Sequence, residues 1–246
     1  MLRQPAGWPG INVACVWLPR LALGAELLRH PEWDGRPIAM GGGAGERKVV
    51  QVCSPEAEAC GIHPGLPLRE VLACSREAIV LQSDPVHVAG VVDEVLAALQ
   101  RVGPAVEAAD DQPLEAGLSG SGLQRALASN EGVTAGAPAL HGALFLDLQG
   151  LEQVYGGDLA LLERAMRTAV PEVLQPRLGF GAGKFAASVA AQLAPPDSCR
   201  VILAEQTAAF LAPLSVHYLP FPGETWERLD LLGIERIGQL ARLPFS

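Results

Sequence analysis

The chain has 246 residues, of which 49% are hydrophobic and 18% charged, and its formal net charge is -9. These values predict a soluble globular protein with a sizeable core and two or three subdomains. The negative charge argues against tight binding of a nucleic-acid backbone by this chain alone, because such binding normally requires a basic surface. The longest apolar run near the start, INVACVWL, has the length of a buried strand and no basic leader, so we read no export signal and no membrane span.

The cysteine pattern indicates the redox environment. Five cysteines, an odd number, occur without C-x-x-C spacing at Cys15, Cys53, Cys60, Cys74 and Cys199. Their mostly apolar surroundings predict buried, reduced thiols and a cytoplasmic location. The five histidines are scattered, without the spacing of metal ligands or of a catalytic triad, so no metal site is predicted from them.

Hydrophobic periodicity predicts a β-α-β-β-α-β order of elements. In chain order, the strands are read at INVACVWL, AVEAA, GALFLDL and PRLGFGAG, and the helices from Val86 to Leu99 and from Leu159 to Ala169. This order is typical of a ferredoxin-like sheet with helices on one face, which places the chain in the α+β class. A long insertion, residues 20 to 83, separates the first strand from the first helix.

Two further stretches interrupt this pattern. Residues 112–142 are rich in Gly, Ala and Ser without a sustained period, and we expect them to form a mobile loop. The stretch GFGAGK, which ends at Lys184, looks like a phosphate-binding loop. It fails the Walker A pattern because Phe185 carries no hydroxyl, and it fails the dinucleotide fingerprint because Lys184 occupies the place of the third glycine.

Five segments in this order resemble the Y-family, or translesion, DNA polymerases of the UmuC/DinB type. They are INVACVWLPRLAL, VVQVCSPEAEACGIHPGLPLREV with the preceding RPIAMGG, LFLDLQG, GFGAGKFAASVAAQLA and LDLLGIERIGQLARLP. The resemblance implies a right-hand architecture without a little finger. The palm would comprise residues 1–19 and 84–185, the fingers residues 20–83, and a small helical thumb residues 186–246.

The resemblance also identifies positions for metal-binding carboxylates. A polymerase holds two metal ions with such carboxylates during phosphoryl transfer. Alignment on the first motif places Ala14 and Val16 where the family carries aspartates. Asp110 and Asp111 fall near the second metal motif, where they fit either surviving carboxylates or a solvated acidic turn.

The nucleotide-contacting positions of the fingers are changed as well. Pro55 and Glu58 stand where the resemblance implies the tyrosine and arginine that contact the triphosphate. A glutamate near three phosphates repels what an arginine would bind. Lys184 is the one phosphate-site residue that the comparison of motifs retains, and it fits equally well a structural lysine at the start of a helix.

The thumb motif is only partly kept. Helix-hairpin-helix elements use glycines so that backbone N–H groups can approach a DNA phosphate. The first hairpin position reads LPFPGE, whereas the second keeps Gly233 and Gly238 on either side of Arg236. We therefore expect weak DNA contact through these three residues.

The combined substitutions resemble the catalytically degenerate ImuB-like branch, whose first motif commonly runs into W-L-P-R-L, as Trp17 to Leu21 do here. That resemblance implies a non-catalytic adapter in DNA damage tolerance and induced mutagenesis, without a cofactor. Its partners would be a RecA-like accessory protein, an error-prone replicative-type polymerase and, through a C-terminal region absent from this sequence, the sliding clamp.

Two alternatives to a non-catalytic adapter stay open, and both are enzymes. An active translesion polymerase would need Mg²⁺ and carboxylates such as Asp110 and Asp111. An unrelated nucleotide-binding or small-molecule-binding enzyme on a ferredoxin-like sheet would use the glycine-lysine turn as its anion site. The coordinated changes at positions that share only nucleotide chemistry favour the adapter.

Overall fold

The computed structural model describes residues 8–41, 48–109, 142–196 and 198–243. Its strands, in chain order, are β1 (Val13–Trp17), β2 (Ile38–Gly41), β3 (Val50–Cys53), β4 (Ile79–Gln82), β5 (Val106–Ala108), β6 (Ala143–Asp147), β7 (Arg177–Gly181) and β8 (Cys199–Val201). Its α-helices are α1 (Leu21–Arg29), α2 (Pro55–Ala59), α3 (Leu68–Cys74), α4 (Pro85–Leu99), α5 (Leu151–Val154), α6 (Leu159–Ala169), α7 (Lys184–Gln192), α8 (Thr207–Leu211), α9 (Gly223–Leu231) and α10 (Ile237–Leu240).

A five-stranded sheet with the order β5-β6-β1-β7-β8 forms the centre of the molecule. β1 is antiparallel to both neighbours, and its last residue, Trp17, lies opposite Ala143 of β6 and Arg177 of β7. Within this sheet, β5, β6, β1 and β7 have the strand order of a split β-α-β sheet, so the predicted α+β class is confirmed. β8, which pairs in parallel with β7, is a fifth strand that the sequence pattern did not predict.

The two faces of the sheet bury different side chains, because successive residues of a strand point to opposite faces. Ala14 and Val16 of β1 belong to the main core, together with apolar residues of α4 and α6 such as Val95 and Met166. Cys15 of β1 instead packs with Ala143 and Phe145 of β6 and with Ala187 and Ala191 of α7. The helices therefore cover both faces of β1.

Helix α7 lies directly on β7 and β1 because the facing residues are small. A Cβ atom on Gly179 would be 2.1 Å from the carbonyl oxygen of Ala187 and 2.3 Å from the nitrogen of Ala191. We expected residues from 186 onward to belong to the thumb, but α7 and β8 pack with the central sheet. The sheet-bound part of the chain thus continues beyond that predicted boundary.

The insertion after β1 forms a smaller unit around a three-stranded sheet with the order β3-β2-β4. Ser54 links its elements: its Oγ accepts from the N–H groups of Ala57 and Ile38 and donates to the carbonyl of Arg36. A serine at the N-cap followed by Pro55 at the first helical position is a favourable start for α2. A separate core that includes Ile62 and Val71 is buried beneath this unit.

Helices α8 to α10 form a small helical region whose core contains Val216, Leu229 and Ile234. The predicted mobile loop at 112–142 lies outside the described residues, apart from Gly142. No helix in the described parts of the chain is long and apolar enough to cross a membrane.

The five cysteines are all free, which agrees with the prediction of reduced thiols. The prediction that they are buried is wrong for Cys60 and Cys74, which are exposed because both lie at the ends of short helices in the insertion. Burial, aided by the charge of Glu58, raises the pKa of Cys53 to about 11. Burial and a hydrogen bond from its Sγ to Glu163 raise the pKa of Cys199 to about 11.

We predict that Gly179→Ala destabilises the protein and that Gly90→Ala does not. The new methyl group at 179 would overlap backbone atoms of α7, and overpacking of this kind destabilises by about 1–3 kcal/mol or more. Gly90 lies on the exposed side of α4, and no atom comes within 4 Å of the place that its new methyl group would occupy, so alanine there should stabilise by about 0.5–1 kcal/mol. Urea unfolding of both variants measures the difference, and equal midpoints would contradict the close contact.

We also predict that only two cysteines react rapidly in the folded protein. The thiolate is the reactive form, so a pKa raised to about 11 keeps Cys53 and Cys199 protonated and slow at about pH 8. Exposed Cys60 and Cys74 should be labelled first by a disulfide reagent, with all five labelled in denaturant. Peptide mass spectrometry identifies the sites, and fast labelling of Cys199 at that pH would refute the predicted protection.

Candidate functional site

The residues predicted to share one nucleotide site lie on opposite faces of the central sheet. Ala14 and Val16 are 0% and 1% exposed in the core beneath α4 and α6. Lys184 lies on the other face, where its ammonium group sits 5.9 Å from the centre of the Phe145 ring. An ionised carboxylate at position 14 or 16 would be buried among apolar groups at a high energetic cost. In this structure, these two positions therefore do not face a shared site with Lys184.

The end of β1 carries an aromatic and cationic group that the sequence analysis did not identify as functional. The guanidinium of Arg177 lies over the Trp17 ring, 5.5 Å from its centre. Its Nη1 donates to the carbonyls of Gln192 and Ala194 at the end of α7, a position where the helix dipole favours a cation. Burial lowers the pKa of Arg177, and the nearby charge of Arg20 lowers it further.

Arg20 connects this end of β1 to the predicted fingers. Its Nη2 lies 2.9 Å from Oε1 of Glu58, and both side chains are partly exposed. The charge of Glu58, which was predicted to repel a phosphate, is therefore balanced by Arg20. Pro55 lies one turn earlier, at the start of α2 behind the Ser54 cap. Glu58 is thus already engaged by a cation of the chain itself.

Lys184 begins α7 and is also engaged. It forms an ion pair with Glu107 of β5, and both side chains are more than half exposed. An exposed pair of this kind contributes little, about 0–1 kcal/mol, so an anion can displace Glu107. The structure brings Lys184 together with Glu107 and Phe145, which are distant in sequence.

A cleft of about 310 Å³ opens beside this ion pair. Its floor is formed by β5 and β6, one wall by Lys184, Phe185, Ser188 and Gln192 of α7, and one end by Tyr218 and Pro220. Burial raises the pKa of the Tyr218 phenol, so its ring stays neutral at physiological pH. The four-residue spacing of Lys184, Ser188 and Gln192 was the one sequence signal of this wall, since it places them on one face of a helix.

The glycines of the predicted DNA contact are used inside the chain. Gly233 has φ +70°, and its N–H donates to the carbonyl of Asp230 at 3.0 Å. The N–H of Gly238 donates to the carbonyl of Ala212 at 2.9 Å. In this structure neither amide is directed to an external phosphate, and the exposed Arg236 is the remaining member of the predicted set.

Within the described ranges, no group of three or more His, Cys, Asp or Glu residues is arranged to hold a metal ion. Asp110 and Asp111 lie outside those ranges. They follow Ala109, whose N–H donates to the carbonyl of Ala143 at the start of β6. Asp147, at the other end of β6, accepts a hydrogen bond from the N–H of Gln149 in the next turn.

Comparison with protein families matches residues 16–192 to the impB/mucB/samB family. A protein named DNA polymerase IV from Dehalococcoides mccartyi is 27% identical over 237 residues, covering 96% of this chain and 53% of that relative. Another of that name from Methanoculleus marisnigri is 30% identical over 224 residues, covering 88% of this chain and 53% of the relative. The chain thus spans about half the length of these relatives.

Solved structures show the same fold. DinB from Sulfolobus solfataricus superposes with a TM-score of 0.63 at 16% identity, covering 94% of this chain and 60% of that one. The insertion ternary complex of Dbh DNA polymerase gives a TM-score of 0.65 at 17% identity, with 94% and 60% covered.

These comparisons confirm the Y-family relationship and correct the functional prediction. The prediction that the chain is not an enzyme is contradicted by relatives named DNA polymerase IV that match nearly its whole length. Two positions on which that prediction relied, Ala14 and Val16, are buried in the main core. Neither the ImuB-like assignment nor an unrelated enzyme is supported by the comparisons.

Proposed function

The chain belongs to the impB/mucB/samB family, and we propose that it forms part of a DNA polymerase that copies damaged templates. The observation that supports this function best is the 237-residue match to a protein named DNA polymerase IV, which covers 96% of the chain. The shared fold with Dbh DNA polymerase is consistent with the same proposal. The substrates would be deoxynucleoside triphosphates and a primed template.

The reaction requires carboxylates that hold metal ions, and the described carboxylates can be tested for this role. Y-family polymerases use Mg²⁺, which neutralises charge on the leaving pyrophosphate. The described carboxylates do not fit this role: Glu107 is paired with Lys184, Glu58 with Arg20, and no cluster of three ligands forms among them. We therefore assign no step to a metal, and we propose that activity depends on Asp110 and Asp111, next to the end of β5.

The positive groups of the chain can attract a triphosphate, but two of them are partly neutralised. Arg20 is paired with Glu58, and Lys184 with Glu107. Such exposed ion pairs contribute only about 0–1 kcal/mol, and a triphosphate carries several negative charges where a glutamate carries one. A triphosphate that reaches either cation would therefore displace its carboxylate, and the released glutamate would turn toward solvent.

We predict template-dependent nucleotide incorporation by the full-length protein with Mg²⁺. Replacing both Asp110 and Asp111 by alanine should reduce the rate at least about 100-fold, since loss of catalytic carboxylates raises the barrier by several kcal/mol. Asp93→Ala is the matched control, because Asp93 is exposed on α4. Primer-extension gels with all variants measure the effect.

Two results would reject the proposed activity. One is the absence of incorporation by the folded wild-type protein at any Mg²⁺ or Mn²⁺ concentration. The other is full activity of the variant that lacks both aspartates, which would show that other residues supply the catalytic carboxylates.

The thumb contact gives a separate prediction for DNA binding. Arg236→Glu should weaken binding of a labelled primer-template roughly 3- to 10-fold and lower the slope of log affinity against log salt by about 1, as for one lost phosphate contact. The control is Arg69→Glu, which changes the net charge by the same amount as Arg236→Glu. The Arg69 side chain is 85% exposed and lies in the predicted fingers. Fluorescence anisotropy should show little effect of that control. Equal weakening by both substitutions would indicate net charge alone.

The proposal also includes the partners and the location that the motif resemblance implies. The partners are a RecA-like accessory protein, an error-prone replicative-type polymerase and the sliding clamp, and the location is the cytoplasm. We assign none of these partners to a described surface. Co-purification from damaged cells, compared with undamaged cells, tests them.

A further inference from the structure

Strand β5 forms one edge of the central sheet, and its outer side is open. On its inner side, the N–H of Ala109 donates to the carbonyl of Ala143 of β6. Residues that exchange hydrogen bonds alternate along an antiparallel pair, so the backbone groups of Val106 and Ala108 point away from β6. Within the described ranges, no strand pairs with β5 on that outer side. These N–H and C=O groups therefore form a template on which another strand can pair.

The cleft beside Lys184 adjoins this open edge. Glu107 points to the α7 face of the sheet, where it pairs with Lys184, and Ala109 packs on the same face. Ala108 also borders the cleft, although its side chain belongs to the opposite face, so the cleft reaches the backbone of β5. An added strand would lie about 4.8 Å from β5 and would direct every second side chain toward the cleft.

The lining of the cleft suits one large apolar side chain. Phe185 of α7 and Tyr218 contribute aromatic rings, and Pro220 adds apolar surface. The volume of about 310 Å³ exceeds what one leucine or phenylalanine side chain needs. Aromatic rings pack favourably edge to face with another ring, so phenylalanine is the best occupant of this space.

Charge favours a basic residue beside this apolar side chain. The Glu107 side chain is 55% exposed, and its exposed ion pair with Lys184 contributes little, so a cation of a ligand can replace Lys184. The residue two positions from the apolar one lies on the same face of an added strand, where it can reach Glu107. The net charge of -9 also attracts basic peptides and repels nucleic acid.

We propose that β5 and the adjoining cleft bind an extended segment of a partner protein as an additional strand of the central sheet. The segment places one large apolar side chain in the cleft and carries a lysine or arginine two positions away. In this mode of recognition, main-chain hydrogen bonds supply affinity and the pocket for an alternate side chain supplies selectivity. The site uses neither a nucleotide nor a metal, so it does not depend on the proposed polymerase activity.

The probe is a fluorescently labelled peptide, acetyl-Thr-Lys-Thr-Phe-Thr-Lys-Thr-amide, titrated with the full-length protein and followed by anisotropy. We expect saturable binding that weakens at least about tenfold when serine replaces the phenylalanine. Glutamates in place of both lysines should weaken binding about fivefold or more.

Two N-methylated forms of the probe test the main-chain hydrogen bonds. One form carries methyl groups on the nitrogens of the threonines, and the other on those of the lysines and the phenylalanine. Only one of these alternate sets can face β5, because successive backbone groups of a strand point to opposite edges. We expect one methylated form to lose binding at least about tenfold and the other to bind like the unmodified probe.

Ala108→Pro tests the same contact from the side of the protein. Proline removes the outward N–H of Ala108, and an edge strand tolerates it where that N–H has no partner in the sheet. Binding of the probe should weaken at least about tenfold. Ala108→Ser is the matched control, because it keeps the N–H, and it should bind the probe like the wild type. Thermal unfolding of both variants checks that the fold is retained.

Five results would overturn the inference. The first three are the absence of saturable binding at millimolar concentration, equal affinities of the two methylated forms, and unchanged binding by an Ala108→Pro variant that unfolds at the wild-type temperature. The fourth is displacement of the probe by single-stranded oligothymidine, which would assign the edge to nucleic acid. The fifth is a dimer in sedimentation experiments that Ala108→Pro abolishes, which would assign the edge to a second copy of the chain. If Ala108→Pro fails to fold, the two methylated forms decide.

Discussion

The close contact between α7 and β7 determines where the other parts of the candidate site lie. Because Gly179 has no side chain, the backbone of Ala187 and Ala191 can approach the strand to van der Waals distance. The carbonyl of Gln192 at the end of α7 then accepts a hydrogen bond from Arg177. This contact holds the guanidinium over the Trp17 ring. The same placement leaves β5 largely exposed and brings Lys184 to Glu107. A larger residue at 179 would move the helix outward and disturb both ends together.

The cations near this helix are held by weak interactions that a ligand can replace. Arg20 and Lys184 each pair with a partly exposed glutamate, and solvent screens such pairs so that they stabilise the fold only slightly. Arg177 differs, because its contacts to two helix-terminal carbonyls are partly buried. Arg177 is therefore a fixed structural cation, whereas Arg20 and Lys184 can exchange partners. An overall charge of -9 is thus compatible with local anion binding.

The sequence predicted the long amphipathic helices and the continuous apolar strands. α6 shows the helical period because the core covers one of its sides, whereas β6 was readable as an apolar run because both of its faces are buried. β8 has three half-buried residues, Cys199 to Val201, and such a short segment carries no readable period. The cleft was not predictable either, since Glu107, Gln192 and Tyr218 meet only through the fold. The exposed Cys60 shows that apolar neighbours in sequence do not ensure burial.

The alignment of the first motif depends on which face of β1 each residue occupies. An alignment of motifs that is shifted by one residue moves every side chain of a strand to the other face. Ala14 and Val16 point into the core, where an ionised aspartate would be strongly destabilising, so their apolar character follows from packing alone. The residues of β1 on the α7 face are Val13, Cys15 and Trp17. At the end of β1 on this face, Trp17 lies opposite Ala143 of β6 and Arg177 of β7, so an aromatic ring and a guanidinium occupy this edge of the sheet.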